Sequence, residues 1–142
     1  MNRQKGFTLV ELMVVIAIIG VLLAYVIPSY RTQVIRSKRV EAHNAILQIA
    51  SAQERNNATF NQYATSINTG NTPTIDDLGL SGSAFNTSAD YDYSMTQDNG
   101  YTISADAKSG STQINDNNGT DCTQMSLNSL GQKTPLACWM TL

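Results

Sequence analysis

Residues that commonly build catalytic and metal centres are scarce in this chain. Of its 142 residues one is histidine and two are cysteine, and no C-x-x-C, P-loop or G-x-S-x-G motif is present. The histidine, His43, follows Ala42 on a predicted helix, so we expect a surface or interface residue. The stretch DNNGTD at 116–121 lacks the spaced ligands and closing Glu of an EF-hand and is typical of a turn. We therefore expect no enzymatic activity, no metal site and no cofactor.

The sequence also lacks a small-residue cleavage site behind its one long apolar run. That run, from Phe7 to Ile27, spans 21 residues and follows a short basic stretch with Arg3 and Lys5. A helix of about 20 residues crosses the hydrocarbon core, whereas a secretory signal is followed by an A-x-A-like site. We therefore predict a retained membrane anchor joined to a small head rich in Asn, Asp, Ser, Thr and Gly.

Two features give opposite answers for the side of the membrane on which the head lies. Four basic residues between Arg31 and Arg39 follow the run and two precede it, so the positive-inside rule favours a cytoplasmic head. Cys122 and Cys138 instead indicate a disulfide formed in an oxidising compartment, with two unrelated buried thiols as the alternative. Because the charge rule is a bias that downstream domains can override, we predict a periplasmic head.

Residues 31–59 contain neither Gly nor Pro and predict that the helix of the apolar run continues through them. At about 100° per residue one face is apolar and can pack on a sheet. Val40 and Leu47 lie nearly opposite that face, either as surface scatter or as a contact with a neighbouring helix. Pro28 removes a backbone hydrogen bond and, together with Gly20, predicts a helix that bends easily. The apolar face carries Val34, Ile35, Ala42, Ala45, Ile46, Ile49 and Ala52.

Beyond this helix the apolar residues repeat every second position. The stretches 91–95 and 101–107 alternate in this way on either side of DNG at 98–100, which predicts an antiparallel hairpin. CTQMSLN, from Cys122, predicts a third strand. We predict an α+β fold, in which a long amino-terminal helix is half membrane anchor and half packed against a small antiparallel sheet of three to four strands. A disulfide loop would close the carboxy terminus.

Glu11 is the one charged residue inside the apolar run. A charge at the bilayer centre costs on the order of 2.5–3.5 kcal/mol, and such residues are usually paired and functional. No Lys or Arg lies within the run, so a cationic partner must come from outside it. The alternative is a carboxylate at the membrane interface without a role, since the cost falls near the end of the span.

The stretch KGFTLVELMVVIAIIGVLLAYVIPSY resembles the amino terminus of type IV prepilins. In that family a prepilin peptidase cuts after the glycine and the new amino terminus is methylated, which implies cleavage after Gly6 and methylation of Phe7. The resemblance also implies that Glu11 pairs with the Phe7 amine of an adjacent subunit and sets the subunit register. The implied segments are a leader (1–6), a transmembrane and polymerisation helix (7–27) and a head (28–142) with an amphipathic helix to about residue 59.

Two later stretches, SKRVEAHNAILQIASAQERNNATFNQYA and CTQMSLNSLGQKTPLACW, resemble the PilE-like minor pilins of type IVa pili. This resemblance implies a structural pilus subunit, present as a minor pilin, that contributes to adhesion, twitching motility or DNA uptake. A tip adhesin or DNA-binding pilin module is one alternative, and a type II secretion pseudopilin, which the cysteine pair disfavours, is another. The implied partners are other pilin subunits, prepilin peptidase and an inner-membrane assembly platform. The implied location is the inner membrane, then the extracellular pilus.

The charge of the head argues against general DNA binding. Removal of residues 1–6 lowers Lys plus Arg from 9 to 7 while Asp plus Glu stays at 11, which gives a net side-chain charge of −4. Such a surface repels the phosphate backbone, although a local DNA-binding patch is left open. We expect the basic group from Arg31 to Arg39 to face lipid headgroups or acidic neighbours in a fibre.

Overall fold

The structure, a computed structural model, describes residues 6–67, 77–80, 90–116 and 120–140. The chain divides into two compact units, the first ending at Val34 and the second beginning at Ile35. Helix α1, Leu9–Phe60, contributes residues to both units.

In the first unit, the described residues before Val34 are all exposed. Helix α1 is the one helix in the described part of the chain that is long and apolar enough to cross a membrane, with a mean hydropathy of 2.8 in its most apolar window. It continues through both Gly20 and Pro28, and Thr32 Oγ1 donates a hydrogen bond of 3.3 Å to the Pro28 carbonyl. The flexibility expected at these two positions stays a prediction.

The second unit contains a four-stranded antiparallel sheet in the order β1-β2-β3-β4. A 3-10 helix, Thr112–Asn115, lies between β2 and β3, and a short helix, α2, Leu136–Met140, follows β4. The α+β class and its small antiparallel sheet are therefore confirmed, with four strands. The strands are β1 Tyr91–Thr96, β2 Thr102–Ala107, β3 Gln124–Asn128 and β4 Lys133–Thr134.

The predicted hairpin is present, with Tyr91 opposite Ala107 at its open end. Its turn places Asn99 at φ 49° and Gly100 at φ 141°, conformations that asparagine and glycine tolerate best. A side chain at Gly100 would also meet Ser129, whose Oγ lies 2.1 Å from an ideal Cβ position. Close approach of the β3–β4 turn therefore requires glycine here.

The apolar face predicted for α1 packs into the core of the second unit. Ala42, Ile46 and Ile49 are completely buried, in one cluster with Ile103 and Ala105 of β2. Burying an isoleucine side chain such as that of Ile46 or Ile49 contributes roughly 1.5–3 kcal/mol before entropy losses. Leu47, on the opposite face, remains 46% exposed, which leaves both of its interpretations open.

The buried face of α1 also carries polar residues that apolar periodicity does not identify: Arg39, His43, Gln53 and Asn56. Gln53 clamps the segment after α1, because its Nε2 donates to the Ala64 carbonyl at 2.8 Å and its Oε1 accepts from the Ala64 N–H at 3.0 Å. His43 is only 7% exposed, so the expectation of a surface histidine is wrong. The alternative of an interface residue stays a prediction.

Candidate functional site

The amino-terminal site consists of Gly6, Phe7, Thr8 and Glu11. Gly6 and Phe7 precede α1, and the Phe7 side chain is 91% exposed. Thr8 and Glu11 bond reciprocally: Glu11 Oε2 accepts from the Thr8 N–H and hydroxyl, both at 2.9 Å, and the Glu11 N–H donates to Thr8 Oγ1 at 3.2 Å. This is a capping box, which satisfies backbone donors that a helix start leaves unpaired. The T-x-x-E spacing at 8–11 signals it in the sequence.

The capping box leaves Glu11 able to bind a second donor. A carboxylate accepts about four hydrogen bonds, and all those described here converge on Oε2. Within the described chain Glu11 forms no ion pair. The geometry is therefore compatible with an ammonium group arriving from another subunit, while the cap itself needs no partner.

At the other end of the chain, Cys122 and Cys138 form the predicted disulfide, with their Cα atoms 5.6 Å apart. The alternative of two unrelated thiols is wrong. Cys122 lies two residues before β3, and Cys138 lies in α2. The bond therefore closes a loop that contains β3, β4 and the first residues of α2.

Helix α2 is held against α1 by stacked rings. The rings of His43 and Trp139 have centroids 4.3 Å apart and an interplanar angle of 6°, and Lys133 Nζ lies 4.9 Å from the Trp139 ring. Burial, followed by the nearby charges of Arg39 and Lys133, lowers the pKa of His43. His43 is therefore neutral at pH 7. Its position one turn from Arg39 and from Ile46, on the buried face, is the sequence signal for this contact.

A buried ion pair joins α1 to the segment after the 3-10 helix. Arg39 Nε donates to Asp116 Oδ2 at 2.8 Å and a second guanidinium nitrogen donates to Oδ1, with both residues at most 2% exposed. Beside it the Tyr91 hydroxyl donates to Gln113 Oε1 at 2.9 Å. Burial, and then the Asp116 carboxylate, raises the pKa of Tyr91, so the phenol stays protonated. Sequence patterns do not predict this pair.

The basic group at residues 31–39 is therefore divided. Arg39 is buried with Asp116, and Lys38 Nζ lies 2.6 Å from Asp90, so for these two residues the expectation of lipid or neighbouring subunits as partners is wrong. Lys108 also pairs, with Asp92 at 3.1 Å. Among the residues that the structure describes, the cations outside ion pairs are Arg31, Arg36, Arg55 and Lys133.

Comparison with curated proteins identifies fimbrial relatives through a short stretch. The chain is 61% identical over 41 residues to "Fimbrial protein EcpC" of Eikenella corrodens, which is 29% of this chain and 27% of that protein. It is 57% identical over 42 residues to a "Fimbrial protein" of Moraxella nonliquefaciens, 30% and 27% of the two chains. A "Type IV major fimbrial protein FimA" of Dichelobacter nodosus is 55% identical over 40 residues, 28% and 25%. The matches thus span about a quarter of these relatives.

Family models cover much more of the chain. A model described as "Prokaryotic N-terminal methylation motif" matches residues 1–27. A second, described as "Type IV minor pilin ComP, DNA uptake sequence receptor", matches residues 28–126. No solved structure matches the chain significantly. Because the second model covers more than half of the chain, this protein belongs to the ComP family of type IV minor pilins and is a structural subunit of the type IV pilin class.

Proposed function

We propose that this chain is a minor pilin of a type IV pilus that takes up DNA, and that its head contacts the DNA. The observation that carries the proposal is the match of residues 28–126 to a family described as a DNA uptake sequence receptor. The relatives named as major fimbrial proteins share only about 40 residues, too short a stretch to indicate abundance or role. The role is structural and binding, not enzymatic.

The charge distribution requires that DNA contact be local. In the second unit only Arg36, Arg55 and Lys133 remain outside ion pairs with described carboxylates. If all three met phosphates, affinity would fall about 40-fold between 50 and 200 mM salt, since each contact adds about 0.9 to the logarithmic slope. A weak, salt-sensitive phosphate contribution leaves base contacts to supply specificity.

The binding test uses the full chain in detergent with a fluorescent DNA duplex, measured by anisotropy at several salt concentrations. Arg55→Gln and Lys133→Gln should each weaken binding and lower the salt slope by about 1. Arg31→Gln, which removes the same charge from the first unit, is the matched control and should leave the slope unchanged. Absence of binding at 50 mM salt would contradict the proposal.

A deletion strain separates the alternative roles. Loss of the gene should reduce DNA uptake while surface fibres persist. Loss of all fibres would identify a major pilin instead, and loss of protein secretion with fibres intact would identify a pseudopilin. Loss of cell attachment with normal DNA uptake would favour an adhesin.

We further propose that a peptidase removes residues 1–6 and that the Phe7 amine is methylated. Residues 7–27 then anchor the subunit in the inner membrane, and residues 28–142 form a periplasmic head that later becomes extracellular. The methylation-motif match over residues 1–27, the exposure of Phe7 and the Cys122–Cys138 disulfide support this sequence of events. Intact-mass spectrometry of sheared filaments tests it, because processing predicts a species that begins at methylated Phe7. A filament species beginning at Met1 would contradict it.

In this scheme Glu11 pairs with the Phe7 amine of a neighbouring subunit in the fibre. Glu11→Gln retains an oxygen that can accept from Thr8 but removes the charge, so incorporation into filaments should fall while the head stays folded. Thr8→Val is the matched control, because it removes the hydroxyl from the cap and keeps the carboxylate. Equal loss of incorporation in both variants would show that helix capping, and not charge pairing, is the function of Glu11.

A further inference from the structure

The face of α1 at the end of the apolar run carries two exposed tyrosines. Tyr25 is 81% exposed and Tyr30 is 69% exposed. Together with Val26, Ser29 and Gln33 they line a shallow recess of about 340 Å³. These positions follow the i, i+1, i+4, i+5 and i+8 pattern of a single helical face.

We propose that this recess binds a phospholipid headgroup and so sets the depth of the anchor before the subunit enters a fibre. The inference rests on the proposed membrane stage. It adds a lipid site to that stage, with Tyr25, Ser29, Tyr30 and Gln33 as the residues that contact the lipid.

The length of the apolar segment places the recess at the depth of the lipid headgroups. From Leu9 to Ile27 the helix rises about 27 Å at 1.5 Å per residue, close to the hydrocarbon thickness of about 30 Å. With Leu9 near one boundary, Tyr25 reaches the other boundary, and Ser29 to Gln33 lie among the headgroups. Tyrosine is enriched at this depth because its ring is apolar and its hydroxyl is polar.

The chemistry of the recess fits a phosphate and its ester oxygens. The residues that line it include four with hydrogen-bond donors, namely the hydroxyls of Tyr25, Ser29 and Tyr30 and the amide of Gln33. Arg31 lies at the same level and forms no ion pair with a described carboxylate, but at about 100° per residue it is on the opposite side of the helix from Ser29 and Gln33. Its guanidinium therefore does not line the recess and is available to an adjacent anionic lipid. A contact with an apolar face of another subunit's α1 helix would cover Val26 and the tyrosine rings but would leave the Ser29 hydroxyl and the Gln33 amide without polar partners.

This site also bears on Glu11. Tyr30 and Glu11 are separated by about 28 Å along the helix axis, at 1.5 Å per residue. A headgroup held at Tyr30 therefore keeps Glu11 near the opposite interface, where an ionised carboxylate costs less than in the hydrocarbon centre. If the carboxy-terminal end of the anchor moved toward the bilayer centre, the depth of Glu11 relative to the opposite interface would change as well.

Label depth in vesicles tests the proposal. The full chain, with Cys122 and Cys138 oxidised, receives one nitroxide through Ser37→Cys, a position outside the recess, and enters vesicles of phosphatidylethanolamine and phosphatidylglycerol. Power-saturation measurements give the depth of the label. Tyr25→Leu with Tyr30→Leu should move the label toward the bilayer centre by about 3 Å, the rise of two residues. Tyr25→Phe with Tyr30→Phe retains the rings without the hydroxyls and should give a smaller shift.

The control pair is Val15→Leu with Val21→Leu, which enlarges apolar side chains inside the run and should leave the depth unchanged. Unchanged depth in the tyrosine-to-leucine variant would overturn the proposal. Unchanged depth with reduced incorporation into fibres would also overturn it and would identify a contact with another subunit. If inorganic phosphate added to the unsubstituted chain moved its label as far as the tyrosine-to-leucine substitutions do, the recess would bind a free anion and the lipid proposal would be overturned. Failure of the unsubstituted chain to insert would contradict the membrane stage itself and is distinguishable from these results.

Discussion

Removal of one member of the Arg39–Asp116 pair should destabilise the head more than removal of any surface charge. Both side chains are nearly inaccessible, at 2% and 1% exposure, and the guanidinium bonds both carboxylate oxygens. Arg39→Met preserves much of the stem and leaves Asp116 as an uncompensated buried charge. Breaking a buried pair in this way costs about 3–5 kcal/mol. For a domain of this size that corresponds to a fall in Tm of roughly 12 °C or more.

Thermal unfolding monitored through Trp139 measures this effect. Trp139 is the only tryptophan, and it is buried in α2 against His43, so its fluorescence reports on the folding of the head. Asp116→Asn added to Arg39→Met removes the residual charge and should recover part of the loss. A double-mutant cycle then yields the coupling between the two residues.

The matched control is Lys38→Met, which breaks the neighbouring but partly exposed pair with Asp90. The side chains of that pair are 31% and 16% exposed, so solvent screening limits its contribution to about 0–1 kcal/mol. If Arg39→Met cost no more than Lys38→Met, burial of the Arg39 pair would have no energetic consequence and the reasoning would be refuted.

Three further predictions concern the same head. Because the folded-state pKa of His43 is lowered from 6.5, the unfolded chain binds the proton more readily, and the free energy of unfolding should fall as pH drops below about 6.5. His43→Gln should flatten this pH dependence in denaturation curves from pH 5 to 8. An unchanged slope would exclude His43 as its source. Replacing Cys122 and Cys138 with serine should lower stability by about 3 kcal/mol in urea unfolding, since the closed loop is near 15 residues, and a loss below about 1 kcal/mol would contradict this estimate. Met125→Ala empties a fully buried position and should cost about 2–5 kcal/mol, whereas Leu130→Ala, at an 80% exposed position, should stay within about 0.5 kcal/mol in the same assay.

The elements that sequence predicts best here depend on local patterns. The apolar face of α1 follows from a repeat of 3.6 residues, and the β1–β2 hairpin follows from alternation on either side of the DNG turn. The capping box of Thr8 and Glu11 is equally local, and its T-x-x-E spacing is visible in the sequence. Strand β4 and helix α2 are short, and the sequence has no comparable pattern for them.

By itself the sequence determined the apolar amino-terminal part of α1, the helical segment that continues it, the hairpin and the identity of the two cysteines, because each is set by neighbours within a few positions. Only the tertiary structure decided that Arg39 enters the head and that His43 stacks on Trp139. Arg39 and Asp116 are 77 positions apart, and His43 and Trp139 are separated even further. A buried polar residue is tolerated only when the fold supplies it with hydrogen-bonding, charged or packing partners. No local sequence pattern predicts which distant residues those partners will be.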